Sequence, residues 1–344
     1  MAPRAALLVT AVAATLLAPG AAVADTSIGP LAAATPVRAW AGIAVLSVLD
    51  PATGTYELAT QTGTNPPRAL PGIAPAAEAF DADIGAGPRG AATIVFARCQ
   101  TPTHCHLSRT TPAGGSETPI AGSAATDGWE SAPTVWGNRL AFARHYATGS
   151  ERVYIRPLDA GRRVRSVRLP GVPARECDEI THCRAIHDGT VRELELRGTT
   201  LAENVHFGLA SVGICGEGQM RLVDVRHRTG RRLTSTICGL SGATLLGTSL
   251  TSTHLLFVRI CPGDPGACQN KNALAYRYGL VDRRFELVAQ ADVLTGFAAL
   301  DDDHAIEVRA PNSHDGTCIN HIENMSPPCE LALAGPFAFS GRTP

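Results

Sequence analysis

The 344-residue sequence is poor in the features that mark nucleic-acid and membrane proteins. Lysine is almost missing: Lys271 stands alone among basic residues that are otherwise arginine. Basic and acidic residues nearly balance, 30 against 31, so no surplus of positive charge is available to track a phosphate backbone. The one dense basic run, Arg162-Arg163-Val164-Arg165, reads as a solvated turn between strands. No apolar run beyond the first 20 or so residues reaches bilayer length. Helical periodicity is absent past the same point. No nucleophile elbow is present: Gly239-Leu240-Ser241-Gly242-Ala243 comes nearest, with Ala243 where a second glycine is needed. The ten cysteines never form C-x-x-C, which argues against zinc.

What is present begins with a leader. Arg4 precedes the apolar run Ala5 to Leu17, Pro19 and Gly20 break it, and Ala22-Val23-Ala24 has the small-x-small form of a cleavage site. The expected division is a signal peptide over residues 1–24 and a single exported domain over 25–344, without stable membrane insertion. In an exported chain an even number of cysteines reads as disulfides. They fall into neighbouring pairs: Cys99 and Cys105, Cys177 and Cys183, Cys215 and Cys238, Cys261 and Cys268, Cys318 and Cys329. Spacing alone leaves connectivity open; nearest-neighbour pairing is the simplest arrangement, each pair bracketing one loop. The loop-entropy model assigns each about 2 to 3.5 kcal/mol.

The rest of the chain is strand and turn. A short unit recurs: Ile94-Val95-Phe96-Ala97-Arg98, Leu140-Ala141-Phe142-Ala143-Arg144, Leu255-Leu256-Phe257-Val258-Arg259 and, more loosely, Ala305-Ile306-Glu307-Val308-Arg309. Arg98 to Arg144 spans 46 residues and Arg259 to Arg309 spans 50. Self-similar strands at that period indicate propeller blades. Six units fit best, opening near Pro36, Phe80, Ser131, Val191, Leu245 and Leu294, the last running to Ser340; five or seven fit less regularly. The expected fold is an all-β, six-bladed β-propeller of four-stranded antiparallel blades with local disulfides. A β-sandwich would not account for the strand-ending arginines. Those arginines are expected at the sheet margin, facing carboxylates.

The stretches Ser131-Ala132-Pro133-Thr134-Val135-Trp136-Gly137-Asn138-Arg139-Leu140-Ala141-Phe142 and Phe80-Asp81-Ala82-Asp83-Ile84-Gly85 resemble the blade openings of TolB-like proteins. The resemblance implies a six-bladed propeller used for binding, here without the separate N-terminal α/β domain of TolB itself.

Chemistry-bearing residues are few. Asp81 and Asp83 share one face of a predicted innermost strand, and Glu193 and Glu195 repeat the arrangement. Paired channel carboxylates suit general acid–base work on a carbohydrate, though polar residues line any propeller channel. Asp301, Asp302 and Asp303 could offer oxygen ligands to calcium, but the glycine and distal glutamate of a standard calcium loop are missing, so an acidic turn is the simpler reading. His104, His106 and His182 flank cysteines and read as loop residues. Trp129 and Trp136 read as blade packing ahead of a sugar platform. The expectation is a binding or scaffold module, monomeric and without a cofactor, for a protein or carbohydrate ligand of the cell envelope. The alternative is a carbohydrate-active hydrolase or lyase working through Asp81, Asp83, Glu193 and Glu195.

Overall fold

The computed structural model describes residues 25–122, 128–161, 165–170, 174–178, 182–186, 189–207, 217–237, 244–260, 273–290, 294–309, 329–337 and 339–340. Strand β1 (Thr26–Leu31) comes first in the chain. Blade 1 follows with β2 (Val37–Trp40), β3 (Ile43–Asp50), β4 (Thr55–Thr62) and β5 (Arg68–Ala69). Blade 2 holds β6 (Asp81–Ala86), β7 (Ala92–Thr101), β8 (His104–Thr110) and β9 (Thr118–Pro119). Blade 3 holds β10 (Gly128–Trp136), β11 (Arg139–Tyr146), β12 (Glu151–Pro157) and β13 (Val167–Arg168). A hairpin of β14 (Ala174–Asp178) and β15 (His182–Ile186) separates it from blade 4: β16 (Thr190–Arg197), β17 (Thr200–Phe207), β18 (Glu217–Asp224) and β19 (Thr229–Ile237). Blade 5 is β20 (Thr244–Leu250), β21 (His254–Ile260), β22 (Ala273–Gly279) and β23 (Phe285–Gln290). Blade 6 is β24 (Leu294–Ala299), β25 (Ala305–Arg309) and β26 (Cys329–Ala334), completed on its outer edge by β1. A last short strand, β27 (Phe339–Ser340), adds to the edge of β23. The sheets are antiparallel throughout, and among the described residues the helical content is one 3-10 turn at Pro88–Gly90.

The recurrent apolar runs are continuous because both faces of each sheet are covered. Six apolar cores result, one between each pair of neighbouring blades. On β7, Ile94 and Phe96 pack towards blade 1, while Val95 and Ala97 pack towards blade 3. On β11, Leu140 and Phe142 face blade 2, and Ala141 and Ala143 face blade 4. On β21, Leu255 and Phe257 face blade 4, and Leu256 and Val258 face blade 6. The phenylalanine of the repeat therefore always fills the gap to the preceding blade. Phe96, Phe142 and Phe257 are essentially inaccessible.

The arginine closing each run lies at the sheet margin, against acidic or aromatic partners. Arg98 pairs with Glu117 at 2.6 Å and lies 5.0 Å from the Phe80 ring centre. Arg144 pairs at 2.9 Å with the buried Glu130, its cross-strand partner in register. Arg309 joins Asp25 at 2.5 Å and Glu330 at 3.3 Å, tying β1 to blade 6. Arg259 hydrogen-bonds Tyr276.

Two elements differ from the sequence expectation. The sixth unit does not run on to Ser340: Phe339 and Ser340 belong to blade 5, and β1 supplies the fourth strand of blade 6. Both pairings join segments distant in sequence, which alternation cannot reveal. Of the expected disulfides, Cys99–Cys105 is formed across β7 and β8. Cys329 is disulfide-bonded, and its expected partner Cys318 lies outside the described residues. Cys177 and Cys183 are register partners in the β14–β15 hairpin. Cys215, Cys238, Cys261 and Cys268 lie outside the described residues, as do the leader, residues 162–164 and residues 239–243.

Blade stacking leaves Glu203 poorly accommodated. Glu203 on β17 is 1% exposed, and its Oε1 has no hydrogen-bond partner. It borders a cavity of about 40 Å³ between blades 3 and 4 that Arg152 also lines. Its register partner Arg221 lies 3.9 Å away. Burial pushes the Glu203 carboxyl up to about 7, only partly offset by Arg221.

A carboxyl whose pKa is raised by folding holds more protons in the folded than in the unfolded chain, so its penalty appears as pH rises from about 4.5 to about 7. Denaturant melts at pH 4.5 and 7.5 should show the wild type losing about 3 kcal/mol more than Glu203→Gln over that interval. The Cys99→Ala/Cys105→Ala double variant should lose about 2 kcal/mol in the same melts, the loop-entropy value for so short a loop. At Gly85 on β6, a Cβ would run into the Val135 carbonyl of blade 3. Gly85→Ala should therefore cost about 1 to 3 kcal/mol, read as a lowered Tm with the fold retained.

Candidate binding site at the channel mouth

The innermost strands β2, β6, β10, β16, β20 and β24 ring the axis, each with one edge paired to its own blade and the other turned inward. Inward backbone N–H groups on an unpaired edge need acceptors. Side chains of the preceding blade provide them. The Ser47 hydroxyl accepts the Phe80 N–H at 3.0 Å, Asp83 the Val135 N–H at 3.1 Å, and Thr134 the Leu196 N–H at 2.8 Å. Glu193 accepts the Thr248 N–H at 2.8 Å, and Ser249 accepts the Ala299 N–H at 3.0 Å. β-Bulges on β10, β16, β20 and β24 turn the inner edge towards the axis.

All four channel carboxylates expected from the sequence do lie on innermost strands, Asp81 and Asp83 on β6, Glu193 and Glu195 on β16. Asp81 accepts the Ala132 N–H at 2.5 Å. Glu193 divides its oxygens between Thr248 and Arg38, whose guanidinium lies 3.3 Å away. Arg38 belongs to blade 1 and Glu193 to blade 4, three blades round the ring, so this buried pair crosses the axis. Burial pushes the Asp81 and Asp83 carboxyls up, opposed by Arg38 and by their backbone donors. Glu195 is pushed well above the usual carboxylate range, first by burial and then by the charge of Asp83, to which it also hydrogen-bonds. Asp83, Glu193 and Glu195 are thus buried and committed to joining blades or to one another. A glycosidase-like pair would instead face an open cleft about 5 to 10 Å wide.

Two residues further along, the same strands open into a cavity of about 380 Å³. Trp40 follows Arg38, Trp136 follows Thr134 and Arg197 follows Glu195 on their shared faces. Trp40 and Trp136 meet edge to face with ring centres 6.3 Å apart. The Arg197 guanidinium sits 5.0 Å from the Trp136 ring centre and donates to the Leu250 carbonyl at 2.8 Å. Thr251, Asp301 and Asp302 complete the wall from blades 5 and 6. Between β2 and β3, Ala41 (φ 50°) and Gly42 (φ 77°) form a tight two-residue hairpin at this rim. Ala41 carries the strain of a non-glycine residue there.

The acidic run at 301–303 is the turn between β24 and β25, and its carboxylates point three ways. Asp301 caps the N–H groups of Asp303 and His304 at 2.7 and 2.8 Å. Asp302 bonds Thr251, Thr253 and His254 of blade 5. Asp303 lies 3.4 Å from Arg277. Among the described residues no three His, Cys, Asp or Glu side chains converge as a metal site. His104 and His106 lie on β8 rather than in a loop, either side of the disulfide-bonded Cys105. Trp129 stacks on His145, away from the mouth. Sequence reasoning missed Trp40 and Arg197. Trp40-Ala41-Gly42 and Trp136-Gly137-Asn138 both place tryptophan at the end of a first strand, a signal that was available.

The sequence matches no family model and no curated protein. It does resemble solved structures. A putative TolB from Agrobacterium tumefaciens is 12% identical, with 74% of this chain and 79% of that one covered and a TM-score of 0.47. An oligogalacturonate lyase in complex with manganese is 8% identical, with 87% and 88% covered and a TM-score of 0.52. A protein of unknown function from Dyadobacter fermentans is 13% identical, with 92% and 100% covered and a TM-score of 0.50. At these identities the likeness is one of fold, and the fold of this chain is a six-bladed β-propeller.

Proposed function

We propose that the protein is an exported binding module that takes its ligand at the channel mouth, on Trp40, Trp136 and Arg197. The observation that carries this reading is the 380 Å³ cavity bounded by two tryptophans, with buried, mutually engaged carboxylates on the strand positions beneath it. Aromatic faces with a few fixed polar groups suit recognition, whereas Asp83, Glu193 and Glu195 lack an open face on which to act as acid and base. The channel and mouth carry more carboxylates than guanidinium groups, which favours neutral or cationic ligands over anionic ones. The fitting ligands are a neutral saccharide of the cell envelope or a lysine-bearing segment of an envelope protein. Export is supported by the leader over residues 1–24 and by the disulfide-bonded cysteines, which belong to an oxidising compartment.

The test is titration of intrinsic tryptophan fluorescence with N-acetylglucosamine oligomers and with lysine-containing tripeptides, backed by thermal shift. One of the two probe classes should alter the emission, and Trp136→Ala or Arg197→Ala should weaken that probe's binding tenfold or more. Failure of both classes to bind, or binding unchanged by both substitutions, would exclude the mouth as the site.

A further inference from the structure

At the opposite end of blade 3, three side chains stand in an order the mouth does not involve. Ser131 Oγ lies 2.6 Å from His145 Nε2, and His145 Nδ1 lies 2.9 Å from Glu151 Oε2. We propose that Ser131, His145 and Glu151 are a nucleophile, a general base and its orienting carboxylate, which give the propeller hydrolytic activity towards small neutral or cationic acyl esters.

The sheet builds the arrangement. Ser131 is on β10, His145 on β11 and Glu151 on β12, three adjacent strands, and His145 and Glu151 are register partners. A carboxylate only accepts hydrogen bonds, so Glu151 fixes the imidazole proton on Nδ1 and leaves the Nε2 lone pair to the serine hydroxyl. That is the tautomer a serine nucleophile requires. Each member is held by something further. The Trp129 ring lies against the imidazole at 4.8 Å, with only 3° between the planes. The Val191 N–H of blade 4 donates to Glu151 Oε1 at 2.7 Å, which aims Oε2 at the histidine.

The backbone after Ser131 is also unusual. β10 bulges between Ser131 and Thr134, and Ala132 has φ 44°, a conformation that strains an alanine. Its N–H, the amide directly following the nucleophile, already donates to a carboxyl oxygen: Asp81 Oδ2 at 2.5 Å. A developing oxyanion would take the place of that oxygen. Ser131 is half-buried and the His145 side chain is 19% exposed, so both reach solvent. The acidic flank of Asp81 sets the preference against anionic acyl groups.

The chemistry balances without a further reagent. Ser131 Oγ bonds to the acyl carbon as its proton passes to His145 Nε2 and the carbonyl electrons move onto oxygen. Collapse breaks the bond to the leaving alkoxide, which takes the proton from Nε2. Water then repeats both steps on the acyl-serine, releasing the acid and restoring the hydroxyl.

The decisive measurement is on the wild-type protein: incubation with a fluorophosphonate probe, followed by intact mass and peptide mapping. One probe should add, on Ser131, and 4-nitrophenyl acetate should be hydrolysed. His145→Gln should slow labelling about 100-fold or more. Glu151→Gln should slow it less, with the pH profile displaced. Absence of label on wild-type Ser131, or label that persists in Ser131→Ala, would reduce the three residues to a structural tie between strands. Neither outcome bears on ligand binding at the mouth.

Discussion

A ring of sheets must satisfy the backbone groups it turns towards its own axis. The inner edge of each first strand has no neighbouring strand, and burial there without acceptors would cost about 1 to 3 kcal/mol per group. Here blades 1 to 5 each lend an oxygen to the next: Ser47, Asp83, Thr134, Glu193 and Ser249 in turn. The apolar cores between blades supply most of the burial, but these bonds fix how far each blade advances relative to its neighbour. The channel is polar for that reason.

This constraint also explains the electrostatics. Where the lent oxygen is a hydroxyl it adds no charge; where it belongs to Asp83 or Glu193 it brings a carboxylate into a nearly dry space. Arg38 is the compensating cation, reached across the axis from blade 1. Burial and the charge of Asp83 raise the Glu195 carboxyl well above the usual carboxylate range, only partly opposed by Arg38 and Arg197. Asp83, Glu193 and Glu195 are buried at this level, and the open cavity lies two residues further out, beside the tryptophans.

Much of the architecture was legible in the sequence because the governing signals are local. The run Leu140-Ala141-Phe142-Ala143-Arg144 alternates between two buried faces and ends at a margin, and all of that is written in five residues. Asp81 and Asp83 were placed on an inner strand by the same period of two. What escaped were pairings between distant segments. Trp40 and Asp302 line one cavity only because the ring brings blade 1 beside blade 6. Ser131, His145 and Glu151 are in register only once β10, β11 and β12 have paired, and the bulge at Ala132 leaves no mark on the alternation. The strand β1 was overlooked because Thr-Ser-Ile-Gly-Pro-Leu has too little apolar character to stand out beside the leader.

That inconspicuous strand has a consequence for how the chain is made. Synthesis delivers β1 roughly 300 residues before its partner β26, so β1 has no sheet to join until the other strands of the sixth blade have been made. A polypeptide cut short before Cys329 would present two raw sheet margins, one at each side of an unclosed circle, where proteases and stray strands attach. Closure of the ring therefore waits on a chain long enough to include β26.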